Sequence, residues 1–194
     1  AAKATGTSTP GVVIVNGDRA GYDFADLPQG WTVIDVPPEG MVKAVNTALA
    51  MFPSEPWYGM LVDDSVPVTP GWDVRVVEAA MKSGMASCND LDQAPKRICG
   101  AAVWRGDIIR AAGFIYPSCT WHAYGDDFWE SIGRDYSCWA VLMDVIVEHK
   151  HPFKNAALKD ATHARSYDRM ADDKRAYDAW VRSPEGIASV QAIA

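Results

Sequence analysis

The sequence predicts a three-layer α/β/α domain built on a mixed sheet. Three observations lead there. Short apolar runs bounded by Gly and Pro alternate with segments of helical spacing, in the order β, β, α, β, α before the pattern becomes mixed. One run, Tyr58–Val62, ends in the adjacent acids Asp63 and Asp64, then a Pro/Gly-bounded turn and a helical segment. Carboxylates at the carboxyl end of a strand sit where open α/β sheets bind ligands. Finally, 194 residues with 48% hydrophobic composition and eight Trp suit one domain with a sizeable core.

The elements follow in order. Gly11–Gly17 reads as a buried strand ending in a glycine turn, preceded by a tail or linker over 1–10. Trp31–Val36 is a second strand, stopped by Pro37 and Pro38. Residues 39–52 carry Met41, Val45, Ala48, Leu49 and Phe52 on one helical face, and Pro53 ends that helix. After the strand Tyr58–Val62, a helix runs from Asp73 to Lys82 and closes at Gly84. Met85–Cys88 and Ile98–Trp104 are strand-like, and Asp107–Ala112 is a short helix ending at Gly113. Residues 126–133 read as helix, Val141–Glu148 as a late strand, and Tyr167–Val181 as a C-terminal helix.

Charge and cysteine content narrow the function classes. A net charge of −7 leaves no electrostatic footprint for nucleic acid or an anionic membrane. A phosphorylated ligand then needs local neutralisation by a metal or a few placed bases. Cys88, Cys99, Cys119 and Cys138 form no C-x-x-C pair and no zinc-ligand spacing, so buried free thiols of a reducing cytoplasm are expected. No apolar run approaches the roughly 18 residues of a membrane helix, and no signal peptide is recognisable.

Two adjacent acids repel each other unless a cation or hydrogen-bond donors neutralise them. A divalent metal carrying a phosphate ligand is one explanation of Asp63-Asp64. The plain alternative is an acidic turn after a strand, with Asp73 capping the next helix.

Four segments together carry a resemblance. Pro37–Asn46 is similar to a Gly-x-x-x-x-x-Asn helix start after a second strand. Leu61–Ser65 with Thr69–Asp73 resembles an Asp-x-Asp region with its Pro-Gly-Trp continuation. His122–Trp129 with Ile132-Gly133-Arg134 resembles an acceptor-side acidic motif. Asp144–Pro152 resembles a late strand that delivers a His toward a metal. In this order and spacing they resemble the family-2-like glycosyltransferases of the GT-A fold, and more closely a bacterial and phage branch of that group, over most of residues 11–181.

The resemblance implies a single nucleotide-diphospho-sugar transferase domain. Residues 11–90 would be its nucleotide-binding half, 91–165 its acceptor and metal half, and 166–194 its C-terminal helix. The implied activity is sugar transfer from a nucleotide-diphosphate donor to a saccharide or other acceptor, inverting, assisted by Mn²⁺ or Mg²⁺. Asp64, with Asp63, is expected at the metal or the donor ribose, and His149 as a further metal ligand with His151 behind it. Residues i and i+2 of a strand point to opposite faces, so one ion takes one of these two His. Each His can equally be a hydrogen-bonded surface residue.

Asp126 and Asp127 open a helix, where one carboxylate serves as an N-cap and the other as general base on the acceptor hydroxyl. The general family pattern aligns Asp127 with the base and the closer branch Asp126; Asp126 is preferred. His122 is expected near donor or acceptor. Trp121, Tyr124 and Trp129 offer a sugar-stacking wall, although Trp129 reads rather as core. Asn16 and Asp18 are placed for the base or ribose, or form an ordinary Asn-Gly turn. Lys43 and Asn46 are further nucleotide candidates, and Lys43 can equally be a solvated helix lysine.

Two departures from the family pattern matter. Ser65 stands where the third acid of Asp-x-Asp is expected, and a hydroxyl is a poorer ligand than a carboxylate. The strand and helix that open the family's fold have no counterpart, because only about a dozen residues precede Val12. The chain is therefore expected to lack that unit, leaving Val12–Val15 an exposed edge or one completed by another chain or copy. A second function class stays open: a non-catalytic GT-A-like domain that binds a saccharide or a protein.

Overall fold

The computed structural model describes residues 9–17, 19–21, 23–24, 27–98, 101–150 and 161–194. It has mixed α/β content with seven strands and six α-helices among the described residues. The strands are β1 (Val12–Asn16), β2 (Thr32–Val36), β3 (Trp57–Leu61), β4 (Ser65–Pro67), β5 (Met85–Asn89), β6 (Ala101–Arg105) and β7 (Trp139–His149). The helices are α1 (Met41–Met51), α2 (Trp72–Ser83), α3 (Gly106–Ala112), α4 (Gly125–Asp135), α5 (Ala161–Trp180) and α6 (Pro184–Ile193).

The strands form two sheets. β1 and β2 pair in parallel, Val12 opposite Thr32 through Asn16 opposite Val36. The other five form a mixed sheet in the order β3-β6-β5-β7-β4, with β5 parallel to β7 and the other pairs antiparallel. Among the described residues β1 has one strand neighbour, so its second edge carries no ladder partner. The side chains at the edge expected to be exposed are not: Val12, Val13 and Ile14 are half-buried and Val15 is buried.

Alternation along the strands divides the core. On β6, Ala102 and Trp104 join a cluster with Val42 and Val45 of α1, Ile108 and Ile109 of α3, and Phe128, Trp129 and Ile132 of α4. Ala101 and Val103 face the other way, with Trp72, Val76 and Ala80 of α2 and with Val145 and Val147 of β7. A strand reverses its side chains at every residue, so the run Ala-Ala-Val-Trp feeds both faces with small and large side chains in turn. Ile14 of β1 and Met60 of β3 pack against the first of these clusters, so both sheets share it.

Two glycines are required by close approach. Gly40 precedes α1 at φ 98°, and a Cβ there would meet the Trp121 carbonyl oxygen at 2.6 Å. Gly125 opens α4 against the Tyr116 ring, 2.2 Å from where a Cβ would stand. Both fix the neighbourhood of the acidic helix start.

The structure departs from the sequence expectation at several elements. β4 is an additional strand of three residues, too short to show alternation, and Pro67 is tolerated because β4 lies at the sheet edge. β7 begins at Trp139 rather than Val141, α5 begins at Ala161 rather than Tyr167, and Ile98 lies outside β6. α6 is a further helix; Pro184 follows its cap residue Ser183, whose Oγ accepts from the Gly186 N–H at 3.1 Å. Asp73 does not cap α2. It lies in the first turn, buried, and accepts from Thr9 N–H and Oγ at 3.0 and 2.8 Å. No helix of the described residues is long and apolar enough to cross a membrane.

Candidate functional site

Two groups of carboxylates stand at the ends of these elements. The first joins the turn after β3 to the end of β7. Asp64 Oδ1 lies 3.1 Å from His149 Nε2, and both side chains are largely buried. The backbone enforces this meeting. Ser65 of β4 pairs in register with His149, and Lys150 N–H donates to the Asp64 carbonyl at 2.9 Å. Register partners on an antiparallel pair share one face, so Ser65 and His149 project together. Ser65 Oγ is buried with no hydrogen-bond partner. Asp63 points to solvent, and His151 lies outside the described residues.

An oxygen and a nitrogen bound cis to one ion at about 2.1 Å stand roughly 3 Å apart. The Asp64–His149 separation fits that geometry, and the orphaned Ser65 hydroxyl adds a neutral oxygen on the same face. Among the described residues no third His, Cys, Asp or Glu completes a cluster.

The second group is the amino end of α4. Asp126 and Asp127 lie in its first turn, where carboxylates complement the helix dipole, and neither caps the helix by a side-chain bond. The cap position belongs to Tyr124, in the left-handed region at φ 71°. Arg97 reaches both acids, 3.3 Å from Asp126 Oδ2 and 3.1 Å from Asp127 Oδ1. Its Nε also meets Glu130 Oε1 at 2.9 Å. Glu130 is only 4% exposed and accepts from the Ile98 N–H at 2.8 Å and from Arg134 at 3.1 Å. Burial raises the Asp126 carboxyl to about 6; Asp127 and Glu130 add to the rise, and Arg97 opposes it.

A third carboxylate positions the loop before α4. Asp173 of α5 is 5% exposed and accepts three backbone N–H groups, from Trp121, His122 and Ala123, each at 2.9 Å. The chain then enters α4 at the strained Tyr124. The Tyr124 ring stacks on Tyr177 of α5 at 5.7 Å, so that face is covered. Trp121 packs on Gly40, stands beside the His122 ring at 6.0 Å and lies under the Arg169 guanidinium at 4.9 Å. Trp129 is fully buried and donates to the Ile115 carbonyl at 2.6 Å, the core role expected for it.

The turn 90–98 connects the two groups. Asp90 is fully buried; its Oδ1 accepts from the backbone of Asp92, Gln93 and Ala94 at 3.0, 2.8 and 2.9 Å. Its carbonyl accepts from the His149 N–H at 3.2 Å. One end of the turn is therefore tied to the His149 strand, and the other brings Arg97 and Ile98 to α4.

The remaining candidates are scattered. Asn46 is spent on structure: its amide donates to the Tyr116 carbonyl at 2.8 Å and accepts from Ile115 and Tyr116 N–H. Lys43 is exposed and pairs with Glu39 at 2.7 Å. Lys43 and Asn46 line an open groove of about 410 Å³ with Thr47, Ser118 and Thr120. Asn16 ends β1 exposed, and Asp18 lies outside the described residues. Cys88, Cys119 and Cys138 are free thiols, and Cys99 lies outside the described residues.

Arg97, Glu130, Asp90 and Asp173 were not marked by the sequence reading. Glu130 had a signal, since it lies one helical turn beyond Asp126 and Asp127. Arg97 and Asp173 had none, because each sits in a polar stretch whose partners are remote in the chain. Comparison with known proteins finds no matching family, no matching characterised protein and no matching solved structure.

Proposed function

We propose that the chain is a glycosyltransferase of the three-layer GT-A type, moving a sugar from a nucleotide-diphosphate donor to an acceptor hydroxyl with inversion. The observation that carries this reading is the meeting of Asp64 and His149 at 3.1 Å, beside the buried and unpartnered Ser65 hydroxyl. Hard and borderline ligands in that pairing suit Mn²⁺ better than Mg²⁺. When bound there, such an ion neutralises charge on the leaving diphosphate.

The chain's own residues account for the remaining needs. Asp126 takes the proton of the acceptor hydroxyl as that oxygen bonds to the anomeric carbon and the sugar–diphosphate bond breaks. A carboxyl near 6 is largely ionised at neutral pH yet more basic than an ordinary Asp, which suits a general base. Asp127, with its carboxylate on the same arginine, is the second candidate for that role. Trp121 and His122, whose rings stand 6.0 Å apart in the loop that leads into α4, offer an aromatic edge for a sugar.

A second reading is a GT-A-like domain that binds a saccharide or protein without turnover. It is favoured by the lack of a third His, Cys, Asp or Glu around Asp64 and His149 among the described residues.

Calorimetry with Mn²⁺ and a panel of nucleoside diphosphates tests the first reading. Metal and nucleotide are expected to tighten each other by the same factor, as linkage requires. Asp64→Ala is expected to abolish that coupling and His149→Ala to weaken it. Nucleotide binding indifferent to Mn²⁺ and to Asp64→Ala would reject the metal-bridged site and move the second reading ahead.

A further inference from the structure

We propose that Arg97 is the positioning residue of the acid pair, carried by the turn 90–98 to the amino end of α4, where it fixes Asp126 and Asp127 in one orientation. This inference rests on the transferase reading for its purpose, and on geometry alone for its content.

The geometry is specific. One guanidinium contacts three carboxylates of a single helix face, at 3.3 Å to Asp126, 3.1 Å to Asp127 and 2.9 Å to Glu130. Its Nε faces Glu130 while an Nη serves both aspartates, so the planar fork is used from two sides. A lysine ammonium, with one point of charge, cannot reproduce that division. Glu130 anchors the arrangement: it is buried, holds Arg97 on Oε1, and also accepts from Ile98 N–H and Arg134. Arg97 itself stays partly exposed, 42% at its side chain, so its outer face remains open toward solvent.

The electrostatic consequence follows. Asp126 faces Asp127 and Glu130 on α4, Arg97 on the turn, Arg134 through Glu130, and lies within electrostatic reach of the half-buried Tyr177 of α5. Three acids crowd one helix turn, and each ionised neighbour opposes ionisation of the next. Among the described residues Arg97 is the cation in contact with both aspartates. Its removal leaves the acids to repel one another, splays the two side chains and drives Asp126 toward the protonated form. A protonated Asp126 cannot take the acceptor's proton. Arg97 thus acts through Asp126 rather than on substrate.

The test titrates the carboxyls of full-length protein by ¹³C NMR, with Arg97→Met, Arg97→Lys and Asp127→Asn beside the unaltered chain. Asp126 is expected to titrate on the order of one pH unit higher in Arg97→Met, an opposite charge at this distance being worth that much or more. Arg97→Lys should restore part of that change, and Asp127→Asn should move Asp126 downward. Where transfer is measurable, the acid limb of the pH–rate profile should move up with Arg97→Met, kcat falling at neutral pH while KM for the donor holds. An Asp126 titration unmoved in folded Arg97→Met overturns the proposal. If that variant does not fold, equal Asp126 titration in Arg97→Lys and Asp127→Asn overturns it instead. Carboxyl titrations that move as stated, with no transfer from any donor, uphold the Arg97 role and reject the transferase reading.

Discussion

The Asp64–His149 pair and the Asp126–Asp127 pair are built in opposite ways. The first is assembled from two strand ends far apart in the chain, by one hydrogen-bond register: Ser65 opposite His149, with Lys150 bonded to the Asp64 carbonyl. The second is adjacent in sequence on one helix, yet its charge and setting depend on remote residues, Arg97 and Asp173. A long-range pair can be rigid because a ladder fixes it, and a local pair can be conditional because its neighbours are distant. The two should therefore fail differently.

The largest effect is expected at Asp173. Its replacement by Ala leaves three backbone N–H groups without their acceptor in a half-buried loop, at a cost of roughly 3 kcal/mol. Urea unfolding measures it, and Asp173→Asn, which keeps one acceptor oxygen, should lose less. The metal binding proposed for Asp64 and His149 should survive in the folded fraction. A metal site lost together with the loop would erase the contrast between the two pairs.

Next comes chemistry at α4. Asp126→Asn or Asp127→Asn should lower turnover on the order of 10²-fold, about 2.7 kcal/mol, with little change in nucleotide affinity. Initial rates over both variants identify which carboxyl is the base. Full activity in both would remove the base from this helix.

A smaller effect sharpens the electrostatics. Asp126 has a folded-state value near 6, above that of an unfolded Asp, so the folded protein holds this proton more tightly. Its contribution to stability is fully present at acid pH and is lost as pH rises through about 6. The difference in Tm between Asp126→Asn and the unaltered chain should therefore favour the variant increasingly from pH 4 to pH 6, then level off. A difference that is flat across that range would mean that burial does not raise this carboxyl.

The smallest effect is on stability at the other pair. His149→Ala should cost about 1 kcal/mol, since one hydrogen-bonded contact contributes about that much and the backbone register remains. Calorimetric loss of metal–nucleotide coupling in the same variant would then be a binding effect. A much larger loss of stability would show that the pair holds the fold, and would weaken the case for a ligand site.

Most element positions were legible because local rules set them. The Gly/Pro boundaries and helical spacing of 39–52 locate α1, and Gly84 and Gly113 close α2 and α3. β4 was hidden because three residues ending in Pro show no period, and they become a strand only when β7 lies beside them. Asp73 carried an N-cap signal, but burial beside Thr9 gave its carboxylate another partner. The resemblance brought Asp64 and His149 forward as a pair; composition and periodicity alone would have left two ordinary residues.

The sequence by itself determined which residues form strands and helices, which apolar faces exist, and that Asp126 and Asp127 sit together at a helix start. Those features depend on neighbours within one or two turns of chain, where propensity and periodicity act. Tertiary structure alone decided that Asn46 holds the 115–118 loop, that Asp173 holds the 121–123 backbone, and that Arg97 lies on the acid pair. Each is a polar side chain satisfied by a group remote in the chain. The energy of such a contact comes from burying donor and acceptor together, and that burial exists only once the sheet and helices have packed.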